Sequence, residues 1–108
     1  MTQRIQQSDE PRTVLTALAD TDARAILAAT EAEPRSVAEL VDHCEIPTAT
    51  AYRKIDDLVE TGLLEERVRI RPQGRNVSEY VLGVKAITVT LDRPDTDPGE
   101  QVVLDHRR

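Results

Sequence analysis

The chain is poor in the residue types that most often build large cores and reactive centres. It has no Phe or Trp, two Tyr, one Cys and four Gly among 108 residues. The single Cys44 excludes an internal disulfide, and the shortage of aromatics predicts one small aliphatic domain. The chain has no apolar run of about 18 residues, the length that a membrane-spanning helix needs. We therefore expect a cytoplasmic protein without a membrane partner.

Motifs of catalysis and metal binding are also missing. The sequence contains no G-x-S-x-G, no H-E-x-x-H and no glycine-rich phosphate loop. His43 and Cys44 are adjacent on a predicted helix, so their side chains point about 100° apart and form a poor chelate. Cys44 instead fits a small core position. We expect no enzymatic activity, no cofactor and no metal site.

Charge is distributed unevenly along the chain. The net charge is −6, which argues against a nucleic-acid partner when it is taken as a whole. Residues 67–75, however, contain four arginines and no acid. The acidic remainder, with twelve Arg against two Lys, suggests adaptation to a salt-rich, halophilic cytoplasm. There the Debye length falls to about 3 Å at 1 M salt, so that repulsion between carboxylates is screened.

Apolar spacing predicts four helices in the first sixty residues. The first covers residues 13–19, and the second runs from a cap at Thr21 or Asp22 to Pro34. Ser36-Val37-Ala38-Glu39 reads as a capping box that opens a third helix ending near Cys44. A short turn with Ile46 as its buried plug then leads into a helix over residues 48–61, which Gly62 ends.

The period changes from 3.6 to 2 after residue 64, which predicts strands. Arg67, Arg69 and Arg71 fall on one face of the first strand, and the chain turns at residues 72–74 and returns over 77–82. A further strand has residues 87, 89 and 91 directed inward. The predicted organisation is a flexible N-terminus over residues 1–11, a domain over 12–91 and an acidic tail over 92–108 with a possible short strand at 102–104.

Two stretches resemble the ArsR-like (arsenical-resistance-repressor-like) regulators. Residues 18–27, LADTDARAIL, resemble the entry to their second helix, and residues 36–64, SVAELVDHCEIPTATAYRKIDDLVETGLL, resemble their helix-turn-helix core. The resemblance implies an α+β winged helix-turn-helix fold, a transcriptional regulator that binds double-stranded DNA, and a homodimer. Glu45 stands where the family usually has Gly, the paired thiols of metal-sensing members are absent, and strand-like sequence replaces the C-terminal dimerisation helix.

The resemblance assigns two neighbouring DNA-contacting surfaces. Helix 48–61 would enter the major groove with its N-terminal turns, because Asp56 and Asp57 further along would repel phosphate. The wing over residues 67–81 would contact the flanking backbone or minor groove. The candidate DNA-binding residues are Thr48, Ala49, Thr50, Tyr52, Arg53, Lys54, Arg69, Arg71, Gln73, Arg75 and Asn76.

Other interpretations remain open at the level of sequence. A winged helix can also serve as a protein-protein adaptor, with an acidic surface docked on a basic partner, and fold alone does not choose between the roles. A sensor whose effector binds at a dimer interface is a third possibility. The four arginines of residues 67–75 favour DNA, since an acidic adaptor has no need of them.

Overall fold

A computed structural model describes residues 4–7, 11–91 and 100–107. Within them the chain forms four helices and six strands, in the order β1 (Arg4–Gln7), α1 (Pro11–Ala19), α2 (Thr21–Ala32), β2 (Arg35–Ser36), α3 (Val37–Cys44), α4 (Thr48–Glu60), β3 (Leu64–Arg69), β4 (Val77–Leu82), β5 (Val84–Leu91) and β6 (Glu100–His106).

Local capping signals fix where α2 and α3 begin. Asp20 caps α2, because its extended backbone lets a side-chain oxygen accept the Ala23 N–H at 2.8 Å. Thr21 and Asp22, predicted as caps, are already helical, since α1 ends at Ala19 and leaves a single linking residue. The predicted capping box of α3 is confirmed, with Ser36 and Glu39 each accepting the other's backbone N–H.

The turn between α3 and α4 holds a backbone conformation that glycine usually adopts. Glu45 has φ 55° and ψ 50°, the left-handed region, and its N–H donates to the Val41 carbonyl. A side chain in this region is strained by roughly 1–2 kcal/mol. Glu45 therefore holds the turn at some cost in backbone strain. The buried Ile46 anchors the turn to the core.

Helix α4 crosses the core and ends as predicted at Gly62. Ala51, Ile55 and Leu58 form its buried stripe, each at most 1% exposed. Gly62 has φ +86°, which suits the residue after a helix C-cap. The stripe meets buried residues from all three other helices, which are Val14, Ala23, Ile26, Ala29 and Leu40.

The first of two antiparallel sheets, here the wing sheet, has strand order β2-β4-β3. Its strand β2, two residues long, was not predicted, because so short a segment has no periodicity to recognise. Strand β3 begins three residues earlier than predicted and ends at Arg69. Arg71 therefore lies in the tip of the wing and not on the strand.

The second sheet, here the terminal sheet, has strand order β1-β6-β5. Residues 4–7 form strand β1, which the sequence did not predict, and pair with β6; residues 1–3, 8–10 and 92–99 lie outside the described residues. Strand β6 extends beyond the predicted residues 102–104 and buries Val102 and Leu104 in the core. Val89, predicted to be buried, is 44% exposed because it lies on the outer strand beyond the helices.

Four helices followed by an antiparallel hairpin and further strands confirm the predicted α+β winged helix-turn-helix fold. Gly83 alone separates the wing sheet from the terminal sheet along the chain. Its N–H donates to the Leu63 carbonyl at 2.8 Å, and its own carbonyl accepts the Arg107 N–H at 2.9 Å. This junction holds the wing close to the end of α4.

Candidate nucleic-acid interface

The opening turns of α4 present polar groups to solvent. Thr48, Ala49 and Arg53 are exposed, Thr50 is half-buried, and Tyr52 has 53% of its surface exposed. Pro47 occupies the N-cap position and provides no side-chain hydrogen bond to the first turn. Free N–H groups at a helix N-terminus, with the positive end of the helix dipole, favour an anion such as a phosphate.

Lys54 is less available than its sequence position predicts. Its ammonium Nζ lies 2.9 Å from Asp20 Oδ1, and its side chain is 20% exposed. Hydrogen bonds from Lys54 and from the Ala23 N–H lower the pKa of Asp20. Lys54 thus connects α4 to the N-terminus of α2, which makes it a residue that orients the helix within the domain.

The base of the wing is also less cationic than predicted. Arg69 donates from Nε to Glu79 at 2.8 Å and from Nη2 to Glu39 at 3.2 Å, and both carboxylates raise its pKa. Arg67 Nε lies 3.4 Å from Glu65. Although residues 67–75 contain no acid, carboxylates from outside that stretch therefore pair with Arg67 and Arg69. Arg69 instead connects the hairpin to the capping box of α3.

The tip of the wing retains the free charge. Arg71, Gln73, Arg75 and Asn76 are all exposed. Neither Arg71 nor Arg75 has a carboxylate within ion-pair distance among residues 4–7, 11–91 and 100–107. Two arginines without local compensation are available for an external anion.

A single groove joins the tip of the wing to α4. It has a volume of about 570 Å³, and its lining includes Tyr52 of α4 and Arg71, Arg75 and Asn76 of the wing. The start of α3 and the β4 residues Val77, Ser78 and Tyr80 complete its walls. Of the α4 surface proposed from the sequence, Tyr52 therefore lies in the same groove as three residues of the wing tip. Ser78 also lines this groove and was not predicted as a site residue. Its place as a polar residue next to apolar Val77 on β4 could have indicated it.

Carboxylates mark the other end of this region. Burial is the main factor that raises the pKa of Tyr80, and the nearby Glu66 and Asp56 carboxylates raise it further. Asp56 and Asp57 are exposed on α4 one turn beyond Tyr52 and Arg53. A polyanion is thus favoured at the first turns of α4 and the tip of the wing, and repelled from the C-terminal half of α4.

Metal binding and thiol chemistry are the other chemistries that the sequence raised. No group of three or more His, Cys, Asp or Glu side chains there could hold a metal ion. Cys44 is half-buried, and desolvation raises the pKa of its thiol, which disfavours the reactive thiolate. None of the described helices combines the length and the apolar character needed to cross a membrane.

The arrangement is that of a winged helix-turn-helix domain, and comparisons with known proteins agree. A family model described as a helix-turn-helix domain matches residues 18–67, from the end of α1 to β3. The solved structure of reduced HlyU from Vibrio cholerae N16961 is similar at a TM-score of 0.57 and 22% sequence identity, over 70% of this chain and 75% of that one. The search of curated proteins found no match.

Proposed function

We propose that this protein is a DNA-binding transcriptional regulator of ArsR-like type, in which the first turns of α4 enter the major groove. The tip of the wing contacts the flanking backbone or minor groove. The observation that supports this most is the groove shared by Tyr52 on α4 and Arg71, Arg75 and Asn76 on the wing. One polyanion lying along it reaches both surfaces.

The proposal gives the candidate residues different tasks. Arg53 suits a bidentate contact with guanine, and Thr48, Thr50 and the Tyr52 hydroxyl suit phosphates or base edges. Arg71, Gln73, Arg75 and Asn76 would contact the backbone without reading sequence. Ala49 leaves room for close approach. Lys54 and Arg69 act on the domain itself, since each is already paired with a carboxylate.

A binding titration tests the role of α4. Duplexes selected from a random library are titrated by fluorescence anisotropy with wild type, Arg53→Ala, and a matched control, Arg24→Ala, which removes an exposed arginine of α2. We expect Arg53→Ala to weaken binding to the selected duplex by about 1–3 kcal/mol and to relax sequence specificity. Arg24→Ala should bind like wild type. Equal binding by wild type and an Arg53→Ala, Thr50→Ala double variant would exclude α4 from the interface.

The same titration at several salt concentrations tests the wing. Arg71→Ala should weaken binding to all duplexes alike and reduce the slope of log affinity against log salt concentration by about 1. Arg67→Ala removes a cation already paired with Glu65 and should change the slope less. If neither random duplex DNA nor heparin retains wild type, the adaptor interpretation replaces this one.

The acidic surplus of the chain bears on the same measurement. In a salt-rich cytoplasm counterion release contributes little, so base-edge contacts from α4 must supply more of the affinity. We propose that the domain is adapted to such conditions. Far-UV circular dichroism melts should then show higher stability in molar KCl than in dilute buffer, and equal stability in both would contradict the proposal.

A further inference from the structure

The two sheets end in outer strands of opposite character. In the wing sheet the outer strand β3 reads Leu-Glu-Glu-Arg-Val-Arg, whereas residues 86–91 of β5 in the terminal sheet read Ala-Ile-Thr-Val-Thr-Leu. Charged side chains on an outer strand hinder pairing with another chain. Strand β3 has this protection, and residues 86–91 of β5 have none.

The outer side of β5 is open to a partner. Among the described residues β5 pairs with β6 alone, so the other side of its backbone has no strand beside it. Residues 85, 86, 88, 89 and 90 are exposed. Val89 lies opposite Val102, which is fully buried, yet Val89 itself is 44% exposed. A strand added here would continue the sheet and cover Val89.

The sequence of β5 is symmetric about Val89. Thr88 and Thr90 flank it, and aliphatic residues follow at positions 87 and 91. Antiparallel pairing of two copies centred on Val89 places it opposite its own copy and each Thr88 opposite the other copy's Thr90. Aliphatic pairs and Thr-Thr pairs directly across an antiparallel ladder are favourable. Pairing of β3 about Arg67 would instead place two guanidiniums opposite one another.

We propose that β5 is the dimer interface: two copies pair their β5 strands antiparallel about Val89 and join their terminal sheets into one. A two-fold dimer requires a surface complementary to itself, and the symmetry about Val89 provides one. The occupant of this edge is therefore a second copy of the chain.

The oligomeric state tests the proposal without any DNA. Light scattering after size exclusion and sedimentation equilibrium give the mass of wild type and of two variants, Val89→Lys and Val68→Lys. Val68→Lys is the matched control, because Val68 lies on the protected strand β3 and is 60% exposed. We expect dimers of wild type and Val68→Lys and a monomer of Val89→Lys with an unchanged circular dichroism spectrum. A monomeric wild type, or a Val89→Lys variant that stays dimeric, would overturn the interface.

Cross-linking gives a second measurement that does not depend on a disruptive charge. Residues directly opposite in an antiparallel ladder have Cα atoms about 4.5–5.5 Å apart, within the range of roughly 4.4–6.8 Å that a disulfide spans. In a Cys44→Ala background, oxidised Val89→Cys should run as a dimer on a non-reducing gel, whereas Val68→Cys should not. Equal cross-linking at both positions, or at neither, contradicts a two-fold axis at Val89.

A failed interface is distinguishable from a failed function. The mass measurements contain no nucleic acid, so their outcome leaves the DNA titrations unaffected. Where both proposals hold, Val89→Lys should bind a single half-site like wild type and lose the gain in affinity from a second half-site on the same duplex. Loss of single-site binding by a folded Val89→Lys variant would instead place β5 at the DNA and contradict its assignment to the dimer.

Discussion

The wing sheet and the terminal sheet have three antiparallel strands each, and they differ in how far their outer parts extend from the core. The terminal sheet inserts Val102 and Leu104 into the core, at 0% and 2% exposure. The wing sheet also buries Leu64 and Tyr80, but its outer end leaves Val68, and Ile70 just beyond β3, at 60% and 78% exposure, and Arg69 there contacts Glu39 and Glu79. Apolar burial therefore anchors both sheets, through Val102 and Leu104 in one and Leu64 and Tyr80 in the other, and ionic contacts orient the outer part of the wing.

This difference suits two different tasks. A surface that must meet a polyanion cannot be closed by apolar packing, because its polar and cationic groups have to stay in water until the ligand arrives. The tip of the wing stays outside the core, and its Arg71 and Arg75 remain exposed. The terminal sheet contributes stability and, in our proposal, the contact with a second copy.

The largest expected effect is a difference between the two sheets in how much a substitution lowers the free energy of unfolding. Leu104→Ala in the terminal sheet should lower the free energy of unfolding by about 2–5 kcal/mol, since it leaves a cavity in a small aliphatic core. Val68→Ala in the wing should change it by no more than about 0.5 kcal/mol, because the side chain is largely in water. Urea titrations followed by circular dichroism measure both. Similar losses from the two variants would show that the outer end of the wing also contributes apolar packing.

The next effect concerns the junction between the sheets. A Cβ added at Gly83 would lie 2.9 Å from the Gly62 carbonyl oxygen and 3.3 Å from that of Leu63, both backbone atoms that cannot rotate away. Gly83→Ala should therefore lower the free energy of unfolding by roughly 1–3 kcal/mol. The same urea titration applies. A neutral Gly83→Ala would mean that the wing sheet moves relative to the terminal sheet without resistance.

Local signals explain which parts of the fold the sequence could predict. The Ser36–Glu39 capping box, the helix end at Gly62 and the buried stripe of α4 are encoded within a few residues of each other. Strands β1 and β2 were missed because their pairing partners, β6 and β4, lie far along the chain. Burial of Val89 was wrongly predicted because alternation shows the face of a strand and not whether a helix covers it.

The candidate site also has features that the sequence could predict and features that it could not. Alternation and helical spacing predict which residues of α4 and the wing are directed outward, but not which charges are already neutralised. Arg69 is bound by Glu39, thirty residues away in sequence, and Lys54 by Asp20, the N-cap of α2. Those pairs arise from tertiary contacts, so the charge count of residues 67–75 overestimated the free positive charge.

A smaller effect tests the ionic attachment of the wing. Arg69→Gln removes the cation shared by Glu39 and Glu79 and leaves two carboxylates near each other. We expect faster amide hydrogen exchange in β3 and β4, unchanged exchange in β6, and weaker DNA binding. Arg67→Gln, which breaks an exposed pair with Glu65, is the matched control and should leave exchange almost unchanged. If both variants exchange alike, Arg69 does not orient the wing.

The smallest effect is a pH dependence centred on Glu39. Hydrogen bonds from the Ser36 N–H and from Arg69 lower the pKa of Glu39 below its ordinary value of 4.5. A carboxyl whose pKa is lower in the folded state stabilises the fold above its unfolded pKa, and this contribution is lost as pH falls through the folded pKa. Glu39→Gln keeps an oxygen that can accept the Ser36 N–H but loses the charge opposite Arg69.

Thermal melts of wild type and Glu39→Gln from neutral pH down to pH 3 should therefore differ most at neutral pH, with wild type the more stable. The difference should shrink below about pH 4.5, where the unfolded carboxyl takes up its proton. Because Glu39 is 45% exposed, the change in Tm should be small beside that of Leu104→Ala. A difference that stays constant with pH would mean that shape and not charge connects Glu39 to the wing, and the outer end of the wing would then not be oriented by ionic contacts.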